Sequence, residues 1–351
     1  MIPASDVKRQ ALALGFDLCG IAPAAAFPEL QYLREWLDRG YAGEMHYMSR
    51  SAERRADVRH VLPSARSVIA LGTVYNVDRP YSTERRDPGE AEIARYAWGD
   101  DYHVVIQDRL DRLIAWLRTS AGPSFEGRAY VDTGPVQERV YAQYAGIGWI
   151  GKNTCVINPA LGSWLFLAEI ICNLALTPDP PALDQCGTCT LCLDACPTGA
   201  LVDAYALDST RCISYLTIEL KGSIPAAHRN DIGAHAYGCD VCQEVCPWNH
   251  APAVASESAW HPRAGFATPR LLELWQRPDD ELRAMMKGSA MTRAGVKRLR
   301  RNVAVAIGNS GDAAAAAALS SQDSPSCADP LVVEHVQWAV AKLRGSRHED
   351  A

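Results

Sequence analysis

The chain has 351 residues, of which 48% are hydrophobic, and a formal net charge of −6. This length allows two or three domains with ordinary cores and excludes a small disulfide-stapled scaffold, while the net charge argues against a protein that binds polyanions over its whole surface. The most apolar stretch, residues 164–176, is short and interrupted by Glu169. The N-terminus lacks the apolar run of a signal peptide, so we expect a cytoplasmic protein without a membrane segment.

The first part of the chain predicts two helices followed by a buried strand. Apolar residues recur at helical spacing over 7–14 and 29–39, and 67–75 is a continuous apolar and β-branched run typical of a central strand. Between them lies His46, which as a lone histidine is more often structural than catalytic. An arginine cluster that includes Arg55 also contains acids, so its ordinary interpretation is a solvated helix with internal ion pairs.

A mixed aromatic and basic segment precedes the next predicted helix. Arg95, Tyr96, Trp98 and His103 lead into apolar residues at helical spacing that run to about Arg118. Such a segment suits a loop that contacts a ligand. Aromatic residues near the start of a helix are equally common in a core, so both interpretations stay open.

Asp132 follows a short predicted strand over residues 128–131. A carboxylate at the carboxyl end of a strand in an α/β sheet lies where such sheets bind ligands. Aspartate is also a preferred helix N-cap, and residues 136–145 predict a helix. The two roles are equally compatible with the pattern.

Three glycines between Gly146 and Asn153 permit a close approach of the backbone to a ligand. Their spacing is that of a dinucleotide-binding fingerprint, but they follow a predicted helix instead of a strand, so we do not assign that function. Residues 162–174 predict a strand that closes the N-terminal sheet. The proline-rich segment 177–181 then marks a domain boundary.

A run of four cysteines from Cys186 to Cys196, followed by a proline, carries the most specific pattern in the chain. Its spacing is that of the bacterial ferredoxin run, in which three cysteines and one distant partner hold one [4Fe–4S] cluster and the fourth cysteine serves a second cluster. A second set downstream completes eight thiols. We therefore predict one cluster on Cys186, Cys189, Cys192 and Cys246, and another on Cys196, Cys212, Cys239 and Cys242.

Other interpretations of these cysteines are less favoured. An exchange of Cys196 and Cys246 between the clusters is the main competing assignment. A structural zinc site has four ligands in a closed shell and requires neither Cys192 nor a proline after the last thiol of both runs. Disulfides are disfavoured because the chain lacks a secretory signal. The pattern therefore predicts a two-cluster electron-transfer module.

The region after Pro269 predicts several short helices, since apolar residues recur there at spacings of three and four. Stacked short helices suggest a solenoid-like cap, although no repeat period is visible. One segment is basic and contains no acid; it holds Arg293, Lys297, Arg298, Arg300 and Arg301. A solvated helix face is the usual explanation of such a segment, and contact with a phosphate backbone is the sharper one.

Several motifs resemble those of the epoxyqueuosine reductases, the iron–sulfur and cobalamin enzymes of the last step of queuosine synthesis in tRNA. The matching stretches span most of the chain and lie at residues 43–48, 95–103, 131–136, 145–153 and 300–309, together with the double cysteine pattern. Reductive dehalogenases share the cysteine pattern, so the discrimination rests on the N-terminal motifs and the helical C-terminus. The helical region after Ser310 is shorter than the family's full cap.

The resemblance implies an α+β multidomain protein. Its parts would be an N-terminal α/β cobalamin-binding domain (1–178), a ferredoxin-like module with two [4Fe–4S] clusters (179–252) and an all-helical HEAT-like cap (253–351). Cobalamin would be held base-off near one cluster, which we expect to be the Cys212 set. Asp132 matches the family's proton donor, and for that role burial beside the corrin should raise the pKa of Asp132.

The resemblance also implies cofactor contacts, a reaction and partners. Candidate cofactor contacts besides Asp132 are Arg55, Arg95, His46, His103 and Lys152. The epoxide oxygen would leave as water with two electrons and two protons, from a tRNA carrying epoxyqueuosine that the basic segment grips. The chain would act as a monomer without a membrane, fed by an external low-potential electron donor. The alternatives are a dehalogenase-like corrinoid reductase of small molecules, a non-catalytic ferredoxin-type carrier and an iron–sulfur RNA-binding module.

Overall fold

The computed structural model describes residues 2–85, 87–320 and 329–345. Its strands are β1 (Leu18–Pro23), β2 (Ser67–Val74), β3 (Glu92–Ile93), β4 (Gly127–Tyr130), β5 (Trp149–Ile150), β6 (Val156–Ile157), β7 (Leu165–Cys172), β8 (Leu201–Asp203), β9 (Ala206–Leu207) and β10 (His235–Tyr237). Its α-helices are α1 (Ala4–Ala13), α2 (Pro28–Asp38), α3 (His46–Arg50), α4 (Ala52–Ala56), α5 (Tyr102–Ala121), α6 (Glu138–Tyr144), α7 (Leu191–Asp194), α8 (Ala226–Arg229), α9 (Val241–Glu244), α10 (Leu271–Gln276), α11 (Asp279–Met286), α12 (Gly295–Asn309), α13 (Ala315–Ser320) and α14 (Pro330–Gly345).

A four-stranded sheet in the order β1-β2-β7-β4 forms the centre of the N-terminal part. Every residue of β2 is buried, as its apolar and β-branched run predicts. All three strand pairings are antiparallel. The rule that ligands bind at the carboxyl edge of a parallel sheet therefore does not apply to Asp132. The prediction that β7 closes the sheet is wrong, because β7 lies between β2 and β4.

Helices cover both faces of this sheet. On one face, Val7 of α1 and Leu110 of α5 pack with Trp164 in one core. On the other face, Leu30 of α2 and Val140 of α6 belong to a second core. Each strand contributes side chains to both cores, because successive residues point to opposite faces of the sheet.

The cysteine-rich region consists of short elements. Helices α7 and α9 each lie within one cysteine run, and β8 and β9 form a hairpin between the runs. Strand β10 pairs in parallel with β3 of the N-terminal part, which ties the two regions together.

The C-terminal region is helical, as its periodicity predicts. Helix α12 is its centre and packs against α10 and α14. Trp98 and Tyr237 from earlier regions share the core of these helices, so the three regions are packed as one body. The boundaries at residues 178 and 252 stay a prediction. Within the described ranges, no helix combines the length and apolar character needed to cross a membrane.

Candidate functional site

Asp132 lies on a tight turn that follows β4. Its φ of 56° places it in the left-handed region, which is uncommon for a residue with a side chain and persists where the surroundings impose it. The turn is closed by the Thr133 amide, which donates to the carbonyl oxygen of Val131 at 2.5 Å. Helix α6 begins only after Gln137, so Asp132 is not its N-cap. The turn instead brings the carboxylate against Tyr102 and His103.

The carboxylate of Asp132 is held by two residues at the start of α5. The Tyr102 hydroxyl donates to Asp132 Oδ2 at 2.8 Å, and His103 Nε2 lies 3.4 Å from the same oxygen. His103 Nδ1 lies 2.8 Å from Oδ1 of Asp101, whose side chain also caps α5. One imidazole thus bridges two carboxylates.

This arrangement determines where a proton resides. Burial lowers the pKa of His103, but hydrogen bonds to Asp132 and Asp101 outweigh burial and raise the pKa above its ordinary value. Partial desolvation raises the pKa of Asp132, whose side chain is still 61% exposed, but hydrogen bonds from His103 and Tyr102 outweigh this effect and hold the pKa below its usual range. The expectation of a raised pKa for Asp132 is therefore wrong for this geometry, and the imidazole holds the proton.

Two further carboxyl groups lie behind Asp132. Glu169 of β7 is 1% exposed and stands opposite Tyr130 of β4, two residues before Asp132. Its Oε2 has no hydrogen-bond partner among the described residues, and burial raises the pKa of Glu169 well above its ordinary value. Burial and the charge of Asp132 raise the pKa of Glu138 to about 8. Both groups therefore hold protons near neutral pH.

Sequence reasoning missed both glutamates as functional candidates. In the sequence, Glu169 was noted only because it interrupts the most apolar stretch of the chain. That interruption was itself a usable signal, because an ionisable residue is rarely fully buried unless it is paired. No comparable sequence signal marks Glu138, which starts a short helix.

A hollow of about 310 Å³ opens beside the Asp132 turn. It is lined by Tyr47, Arg50, Ser51, Arg54, Arg55, Thr133 and Pro135. Arg55 is fixed, because its guanidinium donates to Ser51 Oγ at 2.9 Å and to the Val136 carbonyl at 2.7 Å. Arg50 and Arg54 are exposed, and within the described residues neither forms an ion pair. The hollow therefore presents guanidinium donors beside a carboxylate.

Two predicted cofactor contacts, Arg95 and His46, do not line the hollow. Arg95 is 3% exposed, and its guanidinium donates to the carbonyls of Val77, Arg79 and Pro80. Those bonds occupy Nη1 and Nη2, while Nε has no partner among the described residues, and the contact of Arg95 with the corrin stays a prediction. His46 is exposed at the start of α3 and does not line the hollow.

The glycine-rich segment 146–153 contacts the first cysteine run. Trp149, which is 1% exposed, donates its indole N–H to Cys186 Sγ at 3.4 Å. The ammonium group of Lys152 donates to the carbonyls of Gly187 and Cys189, at 2.6 and 2.9 Å. Lys152 therefore contacts the cysteine run, and its contact with the corrin stays a prediction.

One glycine of this segment is required by close packing. A Cβ on Gly148 would lie 2.3 Å from the carbonyl oxygen of Ile157, closer than any real contact. The glycine lets β5 approach β6 and thereby places Trp149 against the cysteine run. The close approach inferred from the glycines thus occurs against protein backbone.

The eight cysteines fall into two neighbourhoods. Burial raises the pKa of Cys246 to about 11, and the charges of Cys186 and Cys192 add to that shift. Burial also raises the pKa of Cys239 well above its ordinary value, with contributions from Cys212 and Cys196. The predicted sets place Cys246 with Cys186 and Cys192, and Cys239 with Cys196 and Cys212. These neighbours agree with that prediction.

The sulfur atoms suit clusters better than single ions. In the described part of the chain, no three His, Cys, Asp or Glu side chains converge closely enough to hold one metal ion. A [4Fe–4S] cluster takes four thiolates around a body of several atoms, so its ligands stand apart. Besides the Trp149 bond, the Ala200 amide donates to Cys196 Sγ at 3.2 Å, which is an interaction that thiolate ligands accept.

The basic segment of α12 is largely internal. Arg300 is 3% exposed and donates to the Trp275 carbonyl and to Asp279, and Arg301 is fully buried and donates to the carbonyls of Leu216 and Leu220. The prediction that these two arginines contact phosphates is wrong, because their donors hold the helices together.

The remaining cations of the segment lie nearer the surface. Arg293 pairs with Glu219, and Lys297 pairs with Asp329 at 2.9 Å. Their side chains are 51% and 55% exposed. Arg298 donates to the carbonyls of Ala294 and Ile218, each at 2.6 Å. Arg293, Lys297 and Arg298 therefore remain candidates for contacts with phosphates.

An aromatic series links the second cysteine set to Asp132. Tyr237 precedes Cys239 by two residues, and its hydroxyl lies 3.3 Å from that of Tyr96. The ring of Tyr96 is edge-on to Tyr102, with centroids 6.2 Å apart, and Tyr102 binds Asp132. Tyr237, Tyr96 and Tyr102 thus form a series of contacts between the residues next to Cys239 and Asp132.

Comparisons with known proteins agree with these features. The family model "Epoxyqueuosine reductase QueG, DUF1730" matches residues 55–133, and a "4Fe-4S double cluster binding domain" matches residues 185–249. The epoxyqueuosine reductase of Salmonella typhimurium is 39% identical over 97% of this chain and 88% of its own length. That of Xanthomonas campestris is 40% identical over 97% of this chain and 96% of its own length.

Two solved structures are similar over nearly the whole chain. One is an epoxyqueuosine reductase with a tRNA-Tyr stem loop modified with epoxyqueuosine, at 32% identity, a TM-score of 0.86 and coverage of 97% of this chain and 89% of that one. The other is a Bacillus subtilis epoxyqueuosine reductase with its catalytic aspartate loop swung out of the active site. It is 32% identical, with a TM-score of 0.85 and coverage of 97% and 90%.

Proposed function

The chain belongs to the epoxyqueuosine reductase family, and on that basis we propose how its residues reduce the epoxide of epoxyqueuosine in tRNA to give queuosine. The enzyme is an oxidoreductase with two [4Fe–4S] clusters. The observation that carries the proposal is the bridge from Asp101 through His103 to Asp132, on the side of the module where the Cys239 set lies. A non-catalytic carrier would have no need of this bridge.

The two clusters are assigned to crossed sets of thiols. One set is Cys186, Cys189, Cys192 and Cys246, and the other is Cys196, Cys212, Cys239 and Cys242. The mutual charges of the thiols support this pairing over an exchange of Cys196 and Cys246. The second set lies nearer the reaction, because Tyr237 and Tyr96 connect it to the residues around Asp132.

Cobalamin is the cofactor that the family resemblance implies. Arg54 and Arg55 line the hollow beside Asp132, and guanidinium groups suit the amide and phosphate acceptors of a corrin. When bound there, the cofactor would supply a nucleophilic or electron-donating metal centre for the epoxide carbon. The protein's own task is then to bind the substrate beside it and to deliver protons.

The first proton comes through Asp132. His103 holds a proton between Asp101 and Asp132, and Asp132 Oδ2 accepts it from Nε2 as negative charge develops on the epoxide oxygen. Asp132 then delivers that proton to the oxygen. Its side chain is 61% exposed, so it is accessible to a substrate. Tyr102 orients the carboxylate by donating to the same oxygen atom.

The second proton is assigned to Glu138 and Glu169, of which Glu169 is fully buried. Removal of the epoxide oxygen as water consumes two protons and two electrons. Glu138 and Glu169 are protonated near neutral pH because burial raises their pKa values. Both interact electrostatically with Asp132, so they form a reserve of protons close to the carboxylate that delivers the first one.

The tRNA binds over the face that carries Arg50 and Arg293. Arg293 lies 5.8 Å from the centroid of the Tyr47 ring, and Tyr47 lines the hollow beside Asp132. Phosphate contacts by exposed cations give salt-dependent affinity and position the modified base. Lys297 and Arg298 extend this surface along α12. The monomeric state and the cytoplasmic location stay predictions.

Anaerobic turnover tests the proposal. Enzyme with measured iron and cobalt contents is incubated with reductant and epoxyqueuosine-containing tRNA, and the nucleosides are analysed by mass. We expect the epoxyqueuosine to be converted to queuosine. A loaded enzyme that leaves the epoxide intact would contradict the assignment.

A further inference from the structure

Exposed apolar side chains are concentrated around the first cysteine run. Eight large hydrophobic residues are exposed in the described ranges, and four of them lie between residues 183 and 205. These four are Leu183, Leu191, Val202 and Tyr205, and we call their surface the entry face. Leu183 is the most exposed of the eight, at 77%. Grouped exposure of this kind marks an interaction site, whereas single exposed apolar residues are ordinary.

The four residues form one surface over the cysteine run. The Tyr205 hydroxyl donates to Oδ2 of Asp184, which follows Leu183, at 2.5 Å. The Tyr205 amide donates to the carbonyl of Lys152, whose ammonium group binds the run at Gly187. Helix α7, which carries Leu191, packs against β8, which carries Val202. These contacts connect Leu183 with Tyr205 and Leu191 with Val202 beside the first cysteine run.

The charge of this surface is negative. Residues 181–210 contain four aspartates, namely Asp184, Asp194, Asp203 and Asp208, and neither lysine nor arginine. Two cations from outside this range, Lys152 and Arg211, donate to its carbonyls, so acids outnumber cations by four to two. Phosphates of a nucleic acid would be repelled here, so the tRNA is excluded as the occupant. A second copy of the chain would place like charges opposite each other, which is unfavourable at an interface. The complementary partner has a basic contact surface.

The entry face lies over the outer end of the electron relay. The apolar residues of the entry face lie beside the first-set thiols in the chain, since Leu183 precedes Cys186 by three residues and Leu191 lies between Cys189 and Cys192. The second set lies on the Asp132 side, through Tyr237 and Tyr96. If electrons pass from the second cluster set toward Asp132, they must enter the pair of clusters at the first set.

We propose that the entry face docks an electron-carrying protein whose one-electron cofactor is surrounded by apolar and basic side chains. Each docking event oxidises the carrier by one electron and reduces the enzyme by one, so two events supply the two electrons that one epoxide consumes. This inference rests on the proposed direction of electron flow. Transient redox complexes bury a small area, under about 1,200 Å², which a face of four apolar residues can provide at its centre.

The test measures the rate of cluster reduction by anaerobic stopped-flow absorbance, without tRNA. The probe is an NADPH-reduced flavoprotein of the ferredoxin-reductase class, chosen for a positive surface around its flavin, and dithionite is the small reductant for comparison. The variant is Leu183→Ser with Leu191→Ser. The matched control is Leu12→Ser with Val104→Ser, which changes two exposed apolar residues elsewhere.

We expect the Leu183→Ser/Leu191→Ser variant to lose about tenfold in its second-order rate with the flavoprotein, because two apolar contacts are removed. Its rate with dithionite and the flavoprotein rate of the control should equal those of the wild type. Rising salt should slow the flavoprotein reaction. An unchanged flavoprotein rate in the variant, an equal loss in the control, or an equal loss with dithionite would each overturn the proposal. Failure of epoxide reduction would not alter this readout, so the two proposals fail separately.

Discussion

His103 Nε2 lies 3.4 Å from Oδ2 of Asp132, while the opposite ring nitrogen lies 2.8 Å from Asp101. A histidine between two carboxylates favours its protonated form, and the carboxylate that shares the proton favours its ionised form. The proton for the epoxide oxygen is therefore stored on imidazole and delivered by Asp132. This separates the storage of the proton from its delivery.

Replacement of His103 by Gln should change the pH dependence of turnover. The pKa of His103 is raised, so the stored proton is present below that pKa and is lost as the pH rises through it. We expect the wild-type rate to fall on the alkaline side and the variant to lack that limb. Its rate should be lower by about 10²-fold, the contribution of a general acid. A variant with the wild-type pH profile would exclude His103 as the store.

Replacement of Glu169 by Gln should slow turnover and stabilise the fold at high pH. The folded protein holds Glu169 protonated, so wild-type stability declines as the pH rises from the ordinary glutamate value of about 4.3 toward the raised pKa. The variant cannot ionise and escapes this loss. Denaturant unfolding at pH 5 and pH 8 should show a stability gain over the wild type that is clearly larger at pH 8 than at pH 5. The exposed Glu281→Gln variant is the control, and a gain of the same size there would contradict the account.

Replacement of Trp149 by Phe should lower the reduction potential of the first cluster. The indole N–H donates to Cys186 Sγ, and hydrogen bonds to the sulfurs raise cluster potentials. A redox titration followed by electron paramagnetic resonance should show a shift in one cluster of the two. Trp248→Phe is the matched control, because Trp248 packs edge-on to Trp149 at 4.9 Å. Equal shifts in both variants would show that packing, and not the hydrogen bond, sets the potential.

The arginines of α12 should separate into structural and binding residues. Arg301→Ala leaves buried carbonyls without donors and should cost about 3 kcal/mol of unfolding free energy. Arg293→Ala with Lys297→Ala removes exposed ion pairs and should cost about 1 kcal/mol or less. That double variant should bind tRNA more weakly and with a shallower salt dependence. Unchanged binding would remove α12 from the tRNA surface.

The predictable features of this protein are those with a local cause. Strand β2 follows from a continuous apolar run, and the cysteine spacing predicts two clusters from ligand chemistry alone. Asp132 was found through a motif resemblance, since its pattern was equally compatible with a helix cap. Its bond to His103 joins residues 29 positions apart and has no local signature.

Other features depend on tertiary packing. The sequence of the basic run in α12 is compatible with arginines that face solvent and with arginines that donate to buried carbonyls. Arg300 and Arg301 are buried and donate to carbonyls. Arg95 is likewise buried and donates to carbonyls. The antiparallel sheet escaped prediction because strands separated by helices are typical of parallel sheets as well.

The most direct test of the account is the turnover of an Asp132→Asn variant. Asparagine keeps the size of the side chain but cannot pass a proton to the epoxide oxygen. Iron, cobalt and tRNA affinity should equal those of the wild type, while queuosine formation under anaerobic reduction should fall by about 10²- to 10⁴-fold. A variant with its clusters and cobalamin in place that forms queuosine at the wild-type rate would contradict the assignment of Asp132 as the group that delivers the proton.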